Sequence, residues 1–195
     1  MQNEINQAVK VLNQGGIVIF PTDTAFGIGC KVSDEAAVKR LFTIRKRPLE
    51  KAVPVLVSSI EMAEKYVDVI SDDVREKLIK PYWPGALTIV LPLKKGSLPN
   101  VVVGEGDSVG LRMSNQPIAL EIIGGVGEGI TGPSANFSGK PTPYSFEEMD
   151  KELLKLVDYV VPGEIKLKQA STVIDCTIEP WRILRQGAVE ITLSS

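Results

Sequence analysis

The chain of 195 residues contains no histidine. Imidazole acid/base chemistry, a Ser-His-Asp triad and histidine-ligated metals are therefore excluded. Its two cysteines, Cys30 and Cys176, are too few for a disulfide framework and do not form a CxxC pair, which points to a reducing compartment. Neither sign of charge dominates: 22 Lys plus Arg against 24 Asp plus Glu leave a formal charge of −2. The chain as a whole offers no attraction for a polyanion, so a nucleotide site has to be a local concentration of positive charge. Apolar runs stay well short of the roughly 20 residues that span a bilayer. The N-terminal segment carries its charges early and spaces Ile5, Ala8, Val9 and Leu12 as an amphipathic helix, not as a signal peptide. A cytoplasmic location with no membrane partner is expected. Also missing are a GxxxxGK[ST] loop, a GxGxxG fingerprint after a strand and a GxSxG elbow.

What remains is an ordinary globular composition, 44% apolar and 24% charged, with 17 Gly and 13 Pro. That length favours one domain over residues 1–195 with one real core. Helix and strand signals alternate. A first helix stops at Gly15 and Gly16, and a buried strand follows at 17–20 and ends at Pro21. Ser33 or Asp34 caps a second helix that buries Ala37, Val38, Leu41 and Ile44 and ends by Pro48. Strand 53–57, helices 60–66 and 72–80, and a turn at Trp83-Pro84-Gly85 come next. Strands ALTIVL and 108–112, a helix from Pro117, a strand near 129–131, a helix 146–156 and strands TVID and RIL complete the pattern, which is α/β with a mixed sheet.

Four segments at strand or helix ends combine small, polar and charged residues. Pro21-Thr22-Asp23-Thr24 places hydroxyls and a carboxylate after a buried strand, suited either to a ligand's polar head or to a local turn. Arg45-Lys46-Arg47-Pro48, with Lys51 beyond it, concentrates cations at a helix C-terminus. They complement the dipole there, or point guanidinium forks at phosphate oxygens. Gly132-Pro133-Ser134-Ala135-Asn136-Phe137-Ser138-Gly139 is a poor core strand but a good lining for a small polar ligand, or else a tight turn. Ser171-Thr172-Val173-Ile174-Asp175 and Ile183-Leu184-Arg185 are strands with polar ends. Without histidine, an enzyme built from these parts works by positioning and by stabilising a charged transition state, and its arginines suit phosphoryl chemistry.

Taken in order, these segments resemble the YrdC family of threonylcarbamoyl-AMP synthases, from about residue 5 to 190. GGIVIFPTDTAFGIG is similar to the family's strand and PTDT(V/I)YGLG loop, WPGALTIVL to its WPG-(P/A)-LT strand, and VGLRM to its strand with a single arginine. GPSANFSGKPTP is similar to its PSAN-x-SG-x-PSPT loop, and STVID with ILRQGAV to its paired C-terminal strands. Of the family's Lys-x-Arg and Ser-x-Asn signatures, the second is intact as Ser134-Ala135-Asn136. In the first, Arg47 holds the arginine position and Arg45 the lysine position. Phe26 stands for the usual tyrosine, and Tyr144 falls where the last threonine of PSPT would be.

The resemblance implies a single-domain, twisted, open mixed sheet with a concave basic cavity, in the short form without an added C-terminal domain. It implies formation of threonylcarbamoyl-AMP and pyrophosphate from L-threonine, bicarbonate and ATP. It further implies that the product serves modification of the tRNA adenosine next to the anticodon through a separate transferase complex. By resemblance Arg45 and Arg47 are catalytic cations, and Arg47, Lys51, Asn136, Tyr144 and Arg185 meet ATP. Thr24, Arg112, Ser134 and Ser171 hold threonine, with Arg112 on its carboxylate. Mg²⁺ is expected to arrive on ATP, since no carboxylate cluster suggests a metal cage. Two other readings stay open: an RNA-binding module of the same fold contacting tRNA or double-stranded RNA, and a paralogue acting on another carbamoyl adenylate.

Overall fold

The computed structural model describes residues 1–192. Helix α1 (Gln2–Asn13) buries Ile5, Ala8 and Leu12, the stripe its spacing dictates, and packs on α7 (Pro117–Val126). Strand β1 (Val18–Pro21) is buried throughout and turns back antiparallel to β2 (Phe26–Gly29). Helix α2 (Glu35–Arg45) starts where the Asp34 carboxylate accepts from the Ala37 N–H at 2.9 Å. It stops at Lys46, whose left-handed conformation at φ 52° turns the chain out of the helix.

Strand β3 (Val55–Leu56) is shorter than the apolar run 53–57 suggests. Pro54 has no N–H to give to a ladder, and the Val53 N–H bonds the Val102 carbonyl of α6 (Asn100–Val103) instead. Helix α3 (Ile60–Glu64) follows. The expected helix 72–80 runs as α4 (Asp72–Val74), a π-helical turn (Arg75–Ile79) and α5 (Lys80–Tyr82). Pro81 lacks the N–H that a regular α ladder requires, and the widened turn before it accommodates the gap. Strands β4 (Leu87–Pro92) and β5 (Ser108–Arg112) form an antiparallel pair, and β6 (Ile130–Thr131) follows α7. The expected helix 146–156 is confined to α8 (Lys151–Leu154), because the Asp150 carboxylate accepts from Glu152 N–H and sets the start there. Strand β7 (Tyr159–Val160), not expected from the sequence, lies parallel to β1; β8 (Thr172–Asp175) and β9 (Arg182–Arg185) end the order.

The strands form a mixed α/β arrangement with two twisted sheets, one of order β2-β1-β7 and one of order β6-β3-β5-β4-β8-β9, and no closed barrel. A seam along β2 joins them. Thr131 N–H bonds the Cys30 carbonyl, Ile28 N–H the Pro133 carbonyl, and Ala135 N–H the Phe26 carbonyl, at 2.9, 2.9 and 2.8 Å. Isolated bridges pair Gly27 with Ser134 and Lys31 with Ile130. A Cβ on Gly29 would stand 2.4 Å from the Thr131 carbonyl oxygen, so the seam closes only around a residue without one. Phe20, Phe26, Phe42, Leu41, Leu87 and Ile89 are fully buried in the core on either side of it. Among the described residues no helix is long and apolar enough to cross a membrane.

Candidate active site

Pleat and register put one set of side chains on the same face of the larger sheet. Leu56 pairs with Arg112, Val90 with Gly110, Thr88 with Val173, and Val173 with Arg185. All seven border a cavity of about 530 Å³, within the range of small-molecule sites. The β1–β2 loop, with Thr22 and Thr24, the seam residues Gly132 to Ser134, and Arg45 and Arg47 beyond α2 complete the wall. Four arginines, Arg45, Arg47, Arg112 and Arg185, border the cavity, and none of its described lining residues is Asp or Glu.

Arg112, 6% exposed, is held on every nitrogen. Nε donates to the Gly85 carbonyl at 3.0 Å, Nη1 to Thr24 Oγ1 at 2.8 Å and Nη2 to Oδ1 of Asp23. Asp23 is itself 3% exposed and lies behind the wall, where Ser114 Oγ donates to the same carboxylate oxygen and accepts from Asp23 N–H at 3.2 Å. Burial pulls the Arg112 guanidinium below its ordinary range even against the opposing pull of Asp23. Thr22 uses its hydroxyl locally, accepting from Ala25 N–H at 3.2 Å and donating to the Ala25 carbonyl at 2.6 Å, the turn that its spacing also allowed.

The left-handed Lys46 separates two inward arginines from one outward lysine. Lys46 stands over the ring of Phe137 at 5.0 Å. Arg45, 4% exposed, donates from Nε to the Asn136 carbonyl at 3.1 Å and from Nη2 to Asn136 Oδ1 at 3.4 Å, while Nη1 is buried without a hydrogen-bond partner among the described residues. Burial, and secondarily the neighbouring charge of Arg47, lowers its pKa to about 10, so it remains a cation at neutral pH. Arg47 rests on its own loop, donating to the carbonyls of Lys51 at 3.4 Å and Ala52 at 2.6 Å. Arg185, on the edge strand β9, donates to the Ser171 carbonyl at 2.9 Å and to its Oγ at 3.0 Å, and that hydroxyl shares a further 3.0 Å bond with Thr88.

The structure thus brings Thr24, Arg45, Arg47, Arg112, Ser134, Ser171 and Arg185 to one cavity. It does not bring the other three site candidates to the wall. Lys51 is exposed and contributes only its carbonyl to Arg47. Tyr144 is half-buried and its backbone N–H bonds Glu148. The carboxamide of Asn136 is spent within the protein, donating to the Phe137 and Lys140 carbonyls at 3.0 and 2.6 Å and accepting from Ser134 Oγ at 2.6 Å.

Asp23, which the sequence left between a ligand contact and a turn former, is the buried partner of Arg112. Its signal was present: a carboxylate within a segment whose apolar neighbours force burial needs a cation, and the single arginine of VGLRM supplies it. For a resident metal the residues do not fit, since no group of three or more His, Cys, Asp or Glu comes together among the described residues.

The family model described as "Telomere recombination", Sua5_yciO_yrdC, matches residues 10–187. A threonylcarbamoyl-AMP synthase of Pyrococcus abyssi is 36% identical over 189 residues, covering 96% of this chain and 55% of that protein. The corresponding protein of Xanthomonas axonopodis pv. citri is 36% identical over 162 residues, covering 83% of this chain and 86% of its own. The crystal structure of P. abyssi Sua5 complexed with L-threonine superposes with a TM-score of 0.90 over 96% of this chain and 55% of that one. With the family model spanning most of its length and full-domain relatives above 30% identity, the chain belongs to the Sua5/YciO/YrdC family.

Proposed function

We propose that this chain is a threonylcarbamoyl-AMP synthase, forming threonylcarbamoyl-AMP and pyrophosphate from L-threonine, bicarbonate and ATP. The observation that carries the reading is a wall with four guanidinium groups and, among its described residues, no carboxylate, in a chain from this family. The threonine-bound P. abyssi structure supports the amino acid as substrate.

In this reading bicarbonate takes up a proton and yields carbon dioxide and water, the threonine amine adds to the carbon dioxide and loses a proton, and a carbamate oxygen attacks the α-phosphorus. The bond to the β-phosphate oxygen breaks and pyrophosphate leaves with its electron pair. Positioning dominates such a displacement, so the absence of histidine is no obstacle. Arg112 offers its remaining N–H groups to the threonine carboxylate, with Thr24, Ser134 and Ser171 as hydroxyl partners. Arg45, Arg47 and Arg185 oppose the phosphates. Magnesium enters on ATP, a reading supported by the lack of acidic residues on the wall. The adenylate is then consumed by a separate transferase that carries its threonylcarbamoyl group to tRNA and releases AMP.

Incubating the purified protein with ATP, Mg²⁺, bicarbonate and labelled threonine tests this. Threonine-dependent pyrophosphate release with the matching adenylate mass is expected; pyrophosphate release that ignores threonine, or none, overturns it.

A further inference from the structure

Arg45 is a buried cation with no acidic partner among the described residues, and the group that meets it is an amide. Two carbonyl oxygens, of Phe137 and Lys140, occupy both N–H bonds of the Asn136 Nδ2 group. They fix the orientation of the amide, so its Oδ1 has to face Ser134 Oγ and Arg45 Nη2. The Asn136 backbone carbonyl takes Arg45 Nε at the same time. One residue thus holds two of the three guanidinium nitrogens, and only Nη1 lacks an acceptor.

We propose that Asn136 is a positioning residue: it holds the Arg45 guanidinium against the cavity wall through neutral oxygens, so that the charge stays uncancelled for an oxyanion ligand. A carboxylate at 136 could still accept from Arg45 but would neutralise its charge, as Asp23 does for Arg112, and would lose both donor contacts to the Phe137 and Lys140 carbonyls. The two buried arginines therefore differ in kind: Arg112 enters the cavity as half of an ion pair, and Arg45 as a net charge. Because Asn136 does not itself line the cavity, its effect on a ligand runs through Arg45.

The inference rests on the cavity holding a phosphate-type anion, and inorganic pyrophosphate is the probe. Calorimetric affinities are measured for wild type, Asn136→Ser, Arg45→Met and the double variant, with a thermal melt of each. Should the serine variant not fold, Asn136→Thr replaces it, since either hydroxyl can still donate to the Lys140 carbonyl. Asn136→Ser is expected to weaken pyrophosphate about tenfold, and less than about threefold when Arg45→Met is already present. Equal losses in both backgrounds would show that Asn136 meets the anion directly, and no loss beside a lowered melting temperature would leave it a loop staple; either overturns the inference alone. No pyrophosphate binding by wild type would overturn the anion-site reading together with it.

Discussion

Arg112 donates to Asp23 across a contact from which water is shut out, the two residues being 6% and 3% exposed. Pairing of this kind contributes modestly to stability, but breaking it leaves one charge buried alone. Asp23→Ala is expected to cost about 3 to 5 kcal/mol, and Asp23→Asn less, because an amide oxygen still accepts from the guanidinium. Urea denaturation at pH 7 measures both. An alanine variant within about 1 kcal/mol of wild type would mean the pair is solvated.

Deleting both charges together separates folding from binding. The double variant Asp23→Asn, Arg112→Met removes an ion pair without leaving either charge buried alone, so it should stay folded. Threonine affinity should fall by roughly ten- to a hundredfold, the value of a lost charged hydrogen bond, with ATP affinity changed far less. Isothermal titration with each ligand decides, and equal losses for both would remove Arg112 from the threonine site.

Arg47 gives the sharpest contrast between stability and turnover. Among the described residues its acceptors are the carbonyls of Lys51 and Ala52, on a half-exposed loop. Arg47→Ala should therefore cost about 1 kcal/mol or less in stability, yet slow pyrophosphate release by roughly a hundredfold or more, as loss of a transition-state donor does. Turnover unaffected by the change would return Arg47 to a helix-end charge.

Away from the cavity, Asp158 links β7 to two other elements. It accepts from Ile17 N–H at 2.7 Å and forms a fork with Arg40, and Arg40 is the main reason its carboxyl lies below the ordinary range. A carboxyl pKa depressed in the folded state contributes stability that is present above the unfolded value, about 3.9. That contribution fades as pH falls through the folded value. Both side chains are more than a third exposed to water, so solvent screening keeps it near 1 kcal/mol or less. Asp158→Asn should therefore be less stable than wild type at pH 6, and the gap should narrow below about pH 3. A gap independent of pH would assign the difference to packing.

The elements legible in the sequence are those whose pattern and punctuation agree. The stripe Ile5, Ala8, Leu12, the Asp34 cap, and strands 108–112 and 172–175 stand where they were expected. Less legible were segments where long-range bonds decide. Strand β7 exists because β1 offers it a ladder, and Val53, ahead of β3, is drawn off to Val102. At the site, the family resemblance named the arginines, serines and threonines that line the cavity. Partner choice was hidden, because Asp23 and Arg112 lie 89 positions apart and Asn136 hides its amide in its own loop. A mixed α/β sheet was readable, but its division at β2 depends on backbone contacts that leave no periodicity.

The seam along β2 has a mechanical meaning. Its 130–135 strip stitches the two sheets, while Gly132, Pro133 and Ser134 of the same strip are cavity wall. A ligand seated there would rest on the same backbone strip that joins the two sheets. Substitutions along this strip are therefore expected to change stability and ligand affinity together.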